Sequence, residues 1–405
     1  MTTTADIKTK YQSYVIPTYA TPNLVLVKGK GTRVWDNDGK VYMDFVGGIA
    51  CQNVGHCHPK VTEAIQHQAT KLVHVSNLYM NEYHGTLAEK LSTISGLGGK
   101  CFFCNSGAEA NEALIKLARL WGSDEGKYEI ISMKNSFHGR TLGALAATGQ
   151  TKYQDGFEPI PDGFLYAELN NIASVKKVMS GRTAAILVEA VQGEGGVIKA
   201  TPEFMKELRA LCDAKNALLF CDEVQCGMGR TGHWFGFQAS GVLPDAFSLA
   251  KSLGSGYPVG AIVTNAKLSD VFQPGKHAST FGAAPLACAA ALATIQVIEE
   301  EKLVARAAEA GQLFADGLGE FIEPYEHVKE VRSMGLMVGL VLDVPAKDLC
   351  KSLADMGLLA IPTNENVVRF LPPLNIKDGD INEALDIIDD ALADMHGVER
   401  AADEE

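Results

Sequence analysis

Short apolar runs alternate with stretches of helical period through the middle of the chain. Residues 100–104 read as a strand. From 108 to about 121, Asn111, Leu114, Ala118 and Trp121 share one helical face, with Leu117 adjacent. Residues 128–133, 183–189 and 217–222 read as further strands. Thr201 is an N-cap before Pro202, and its helix is expected to run to about Lys215. Residues 246–250 and 259–264 continue the alternation. Strands separated by helices predict a parallel-rich sheet covered on both faces. Past Pro285 the texture changes. One long Ala-rich helical stretch is expected through 287–305 and on towards Leu318, then short strands at 328–334, 337–342 and 367–371 with helices between them. Near the start, 33–36 and 41–45 flank an Asn37-Asp38-Gly39 turn and predict a hairpin. The expected division is an N-terminal segment (1–55) packing with the small domain, a large domain (56–290) and a small α+β domain (291–405).

Composition narrows the class. Hydrophobic residues make up 46% of the 405, enough for a large core, and charged residues 21%, which excludes disorder. A net charge of −13 argues against a nucleic-acid backbone as partner. Residues 1–11 are polar and mixed in charge, without the apolar core of a signal peptide, and no apolar run is long enough to span a bilayer. A cytoplasmic location is therefore expected, with no membrane partner. The nine cysteines are scattered and read as buried small hydrophobes. Cys101-x-x-Cys104 and His56-Cys57-His58 resemble metal half-sites, but neither has a second half-site at metal spacing, so no metal is expected.

Three constellations carry candidate chemistry. Asn105-Ser106-Gly107-Ala108 lies between a strand and a helix, where free N–H groups, the helix dipole and the Ser106 hydroxyl suit a phosphate. An ordinary helix cap explains the same residues. Asp222-Glu223 ends an apolar strand, where ligands gather in open α/β sheets. A carboxylate there can hold a pyridinium nitrogen protonated; a metal-binding or simply solvated acidic pair is the plain alternative. Lys251 ends another apolar segment and meets a Gly/Ser-rich loop. An amine in apolar surroundings becomes nucleophilic, although a lysine at a strand end is usually solvated. Gly227-x-Gly229-x-x-Gly232 matches a dinucleotide fingerprint, but His233-Trp234-Phe235-Gly236-Phe237 does not read as the helix it requires.

Taken together and in this order, these residues resemble class III (ω-amino acid) aminotransferases, most of all their acetylornithine branch. The resemblance spans nearly the whole chain. It includes Asn53-x-Gly55-His56-x-His58-Pro59, Asn105-Ser-Gly-Ala-Glu-Ala-Asn111, Phe137-His-Gly-Arg-Thr141, Val188-Glu-x-x-Gln-Gly-Glu-Gly-Gly196 and Asp222-Glu-Val-Gln-Cys-Gly-Met-Gly-Arg-Thr-Gly232. The Ala250-Lys251 segment, Ser279-Thr-Phe-Gly282, Pro285-Leu-Ala-Cys-Ala289 and Val368-Arg-Phe370 complete it. The resemblance implies an α/β protein of the pyridoxal-phosphate (PLP) transferase fold type I, with a large, mostly parallel seven-stranded sheet domain and a smaller α+β domain.

It also implies roles. Lys251 carries the cofactor and, when freed, moves the proton. Asp222 pairs with the pyridine nitrogen, supported by Glu189. Val224 and Phe137 pack on the two ring faces, and Gln225 reaches the phenolic oxygen. Ser106, Gly107 and Ala108 hold the phosphate, joined across a homodimer interface by Thr280, so that the active sites are shared. His138 lines the cofactor pocket without a chemical role. Arg140 and Arg369 bind substrate carboxylates, and Glu194 pairs with Arg369 while the ω-amine donor is bound. Tyr19 is expected at the donor's α-carboxylate and Ser279 near the substrate; a packed aromatic is the plain reading of Tyr19, and surface salt bridges that of the arginines. The implied reaction moves the terminal amine of N-acetylornithine, as well as of succinyldiaminopimelate, to 2-oxoglutarate, giving a semialdehyde and glutamate, in arginine biosynthesis. Ornithine and 4-aminobutyrate are the alternative donors; a non-catalytic PLP-fold protein and a nicotinamide-dependent oxidoreductase are the alternatives of other classes. Departures from the family pattern are Ser255 in a usually all-glycine loop, Ala283-Ala284 before Pro285, and Ala108 where threonine is usual.

Overall fold

The computed structural model describes residues 3–397. Residues 1–2 and 398–405, the outer ends of the first and last expected domains, lie outside the described residues. β1 (Leu26–Lys30), β2 (Arg33–Asp36) and β3 (Val41–Asp44) pair antiparallel in sequence. Asp36 organises the turn between β2 and β3, accepting the N–H groups of Asp38 and Lys40 on its carboxylate. β1 was not anticipated; it is exposed along almost its whole length and so lacks an apolar alternation.

The large sheet follows. Its strands are β4 (Gly98–Cys104), β5 (Glu129–Met133), β6 (Phe164–Ala167) and β7 (Thr183–Glu189). A short ribbon of β8 (Val191–Gln192) and β9 (Ile198–Lys199) interrupts it. β10 (Leu218–Asp222), β11 (Ala246–Leu249) and β12 (Gly260–Asn265) complete it. The order is β4-β12-β11-β10-β7-β5-β6. β12 is antiparallel to both neighbours, and the other strands share one direction. Every residue of β7 and β10 is buried, as expected of parallel strands covered on both faces. Alternate residues serve two cores. Leu187 and Phe220 join Leu114 and Leu117 of helix Gly107–Gly122. Ile186, Val188 and Leu219 join Phe204 and Leu208 of helix Pro202–Lys215. Thr201 caps the latter by accepting the Phe204 N–H, and Asn216 ends it in the left-handed region.

The expected long helical stretch is two helices, Pro285–Glu300 and Leu303–Gly319. Lys302 between them has φ +54°, which an α-helix cannot contain. Beyond them, β13 (Val328–Met334), β14 (Met337–Leu342), β16 (Ile361–Thr363) and β17 (Val367–Phe370) form an antiparallel sheet in the order β13-β14-β17-β16. β15 (Leu358–Leu359) pairs instead with β3, tying this region to the N-terminal hairpin. No helix among the described residues is long and apolar enough to cross a membrane.

The shared strand direction decides where chemistry collects. Ser106–Ala108 follow β4, Phe137–Arg140 follow β5, Glu189 ends β7, Asp222 ends β10 and Lys251 follows β11. All open on one edge, the carboxyl ends of the parallel strands.

Candidate active site

A cavity of about 590 Å³ lies at that edge. Ser106, Gly107, Ala108, Phe137, His138, Arg140, Glu189, Asp222, Val224, Gln225 and Lys251 all line it. Its volume suits a cofactor with a substrate beside it.

Asp222 is its electrostatic centre. Oδ2 accepts from the Asn111 amide at 2.7 Å and lies 2.7 Å from His138 Nδ1, while Oδ1 accepts the Val224 N–H at 3.0 Å. Ser248, its register partner on β11, reaches Oδ1 at 3.4 Å. Burial opposes ionisation, but the His138 hydrogen bond and charge, the Val224 N–H and Asn111 together hold the carboxyl below its ordinary range. Glu189 is in register with Asp222 on β7. Burial first, then repulsion from Asp222, pushes its carboxyl well above the ordinary range. The two neighbouring acids are thus shifted in opposite directions. Glu189 Oε2 accepts the Phe137 N–H at 3.2 Å and so anchors the loop that carries Phe137.

Lys251 stands at the start of a tight turn with φ +38°, uncommon for a residue with a side chain. Burial lowers its amine, and among the described residues Nζ has no hydrogen-bond or ion-pair partner. Ser106 Oγ accepts the Glu109 N–H at 3.2 Å. The cap foreseen as the plain reading is therefore present, and its helix start also faces the cavity, with backbone N–H groups suited to an anion.

Arg369, on β17, is fully buried, with Nη1 2.8 Å from Glu194 Oε1. Gln225 Oε1 accepts from the same Nη1 at 3.0 Å. Burial works against the Glu194 charge, but Arg369 wins and keeps the carboxyl below its ordinary range. The Nε and Nη2 groups of Arg369 are buried without partners; such donors are costly unless an acceptor arrives. Gly193 makes room for Gln225: a Cβ there would lie 2.0 Å from Gln225 Oε1. Arg140, in contrast, stacks over Tyr153 at 4.2 Å and Phe137 at 5.4 Å.

Besides Glu194 and Arg369, three expected residues lie outside the cavity lining. Tyr19 is 78% exposed, so within this chain it is not the packed aromatic of the plain reading. Thr280 is exposed, and Ser279 Oγ accepts the Gly282 N–H at 3.0 Å and contacts the Asn105 amide at 3.4 Å. Other residues do more than the sequence reading gave them. Asn111 carried a signal, a polar residue on an otherwise apolar helical face. His138 was given no chemical role, yet its side chain is fully buried against Asp222. Arg230, inside the rejected glycine fingerprint, is fully buried. It bonds Asn53 Oδ1 and the carbonyls of Leu336 and Pro372, joining three regions of the chain.

A charged acid at a strand end, an unpartnered amine and a helix start in one cavity, with a masked arginine bonded to Gln225 of its lining, define an enzyme of amino-group chemistry. The chain belongs to the class III aminotransferases, whose family model matches residues 15–392. It is 48% identical over 388 residues to the acetylornithine aminotransferase of Caldanaerobacter subterraneus, covering 95% of this chain and 98% of the relative. It is also 48% identical over 394 residues to that of Methanocaldococcus jannaschii, covering 96% and 98%. The crystal structure of the Toxoplasma gondii ornithine aminotransferase superposes with a TM-score of 0.94 at 34% identity, covering 98% of this chain and 97% of that one.

The family's cofactor is PLP, and the residues present fit it. Ser106–Ala108 suit its phosphate, Asp222 its ring nitrogen, Phe137 and Val224 its ring, and Lys251 its aldehyde carbon.

Proposed function

We propose that this chain moves the terminal amine of N-acetylornithine to 2-oxoglutarate, yielding N-acetylglutamate 5-semialdehyde and glutamate. The observation that carries this reading is the buried Arg369 masked by Glu194 at 2.8 Å. An enzyme of two substrates needs a cation for the α-carboxylate of glutamate, and must hide it when an ω-amine with no carboxylate beside it enters. The 48% identity to relatives named acetylornithine aminotransferases supports the donor.

PLP supplies an electron sink when bound. The chain does the rest. Asp222, kept charged by His138 and Asn111, holds a proton on the ring nitrogen. Lys251 Nζ, lowered by burial, takes the proton from the amine-bearing carbon and returns it on the far side of the exchange. Arg140, steadied by Tyr153 and Phe137, binds the remote carboxylate of either substrate. Arg369, when Glu194 turns aside, binds the α-carboxylate of glutamate with its unpartnered Nε and Nη2.

The active enzyme is a cytoplasmic homodimer with shared sites. In support, Asn77 bonds the carbonyls of Ser279 and Gly282, which brings exposed Leu78, Tyr79 and Met80 beside exposed Phe281. This apolar patch next to Thr280 suits a second copy, whose phosphate site Thr280 would then reach.

The holoenzyme is mixed separately with N-acetylornithine, ornithine, 4-aminobutyrate and glutamate, following loss of the lysine-bound cofactor's absorbance. N-acetylornithine is expected to react fastest among the amine donors. An equal or faster rate with ornithine or 4-aminobutyrate overturns the donor assignment.

A further inference from the structure

The loop carrying Glu194 packs against Asn135 and Gln225 of the large-sheet region and is also hydrogen-bonded to the C-terminal sheet. Thr363 on β16 is buried, and its hydroxyl bridges the carbonyls of Gly193 at 3.2 Å and Glu194 at 2.9 Å. Arg332 on β13 donates to the Gly196 carbonyl at 3.0 Å. Val197 lies where Gly339 of β14 leaves room: a Cβ on that glycine would be 3.0 Å from Val197 Cγ2. Arg369 is on β17, and β16 pairs with β17 so that Thr363 stands opposite Val367 and Ile361 opposite Arg369. Both members of the ion pair are therefore tied to the C-terminal sheet.

Unmasking of Arg369 requires rotation of the Glu194 side chain, since the pair is made by side chains. The carbonyls of Gly193 and Glu194, the backbone from which that side chain rotates, meet the Thr363 hydroxyl. We propose that Thr363 is a positioning residue for the Glu194–Arg369 pair and thereby sets the balance between ω-amine donors and α-amino dicarboxylates. This rests on the two-substrate reading above. Loosening the loop weakens the masked state, so Arg369 becomes more available to an α-carboxylate and less well hidden from an ω-amine donor.

Thr363→Val keeps the shape and removes the hydroxyl; Thr363→Ser keeps the hydroxyl. Single-turnover rates of the holoenzymes with glutamate and with N-acetylornithine provide the readout, as their ratio. The ratio of glutamate to N-acetylornithine is expected to rise roughly three- to tenfold in Thr363→Val, the effect of about one hydrogen bond, and to return to the parent value in Thr363→Ser. A purely structural role lowers both rates or the thermal midpoint and leaves the ratio alone; that outcome overturns the proposal. If Thr363→Val does not fold, Thr363→Ala provides the same comparison. Glu194→Ala separates the two failures. If it shifts the ratio towards glutamate and Thr363→Val does not, Thr363 alone is misassigned; if Glu194→Ala leaves the ratio unchanged, the masking reading falls and this inference with it.

Discussion

Asp222 and Lys251 make opposite electrostatic demands on one cavity. Three neighbours outweigh burial to keep the Asp222 carboxyl charged, whereas burial lowers the Lys251 amine against the opposing charges of Glu194 and Asp222. Replacing Asp222 with asparagine removes the negative charge while keeping the shape. The single-turnover rate with N-acetylornithine is expected to fall roughly 10²- to 10³-fold, the usual effect of losing one preorganised electrostatic contact at the reacting centre; a fall below about tenfold counts against the role. Lys251 gives a pH-dependent test. In the cofactor-free protein its folded-state pKa lies below the ordinary 10.5. Between the two values the unfolded chain holds the extra proton, so this residue's contribution to stability rises with pH across that window. Lys251→Met is therefore expected to be more stable than the parent at neutral pH, by a margin that shrinks as pH approaches 10.5. Urea melts across that range check it, and a constant margin refutes the buried-amine assignment. At this scale the sequence exposed residues at strand ends, because a charge after an apolar run is visible. It hid His138 and Asn111 as partners of Asp222, since they lie 84 and 111 residues away along the chain.

Elements with their own signals were readable. Helix Pro202–Lys215 is opened by a cap and a proline and closed by Asn216, all local chemistry. The single stretch expected past residue 287 was misread, because alanine-rich composition does not reveal one residue turning left-handed at Lys302. The second helix of that pair carries a sharp packing constraint. Gly311 faces the Gly335 turn between β13 and β14, and a Cβ at Gly311 would lie 2.1 Å from the Gly335 carbonyl oxygen. Alanine gains up to about 1 kcal/mol in helix propensity, but overpacking against backbone costs about 1–3 kcal/mol. Because main chain must move, the upper end applies and Gly311→Ala is expected to lose about 2 kcal/mol net. A thermal midpoint equal to or above the parent's contradicts this packing.

At the scale of the whole molecule, the exposed patch of Leu78, Tyr79, Met80 and Phe281 sets an assembly prediction. Phe281→Glu places a charge in that patch and is expected to convert a dimer to a monomer in sedimentation, with loss of activity and weaker cofactor retention. A variant that remains dimeric and active removes this face from the proposed interface. Tyr19 belongs to the same scale, since its exposed segment has no core within one chain. The amino-acid sequence by itself determined the alternation of strand and helix, the acid and the lysine at strand ends, the helix start between them and the family. Each is written in neighbouring residues, where period, caps and motif spacing act. Only the tertiary structure decided which acid is shifted down and which up, that Gln225 turns to Arg369, and that Thr363 meets the Glu194 loop from 169 residues away. Those outcomes depend on burial and on hydrogen bonds between distant strands, and the energy of a buried charge is set by all that surrounds it in space.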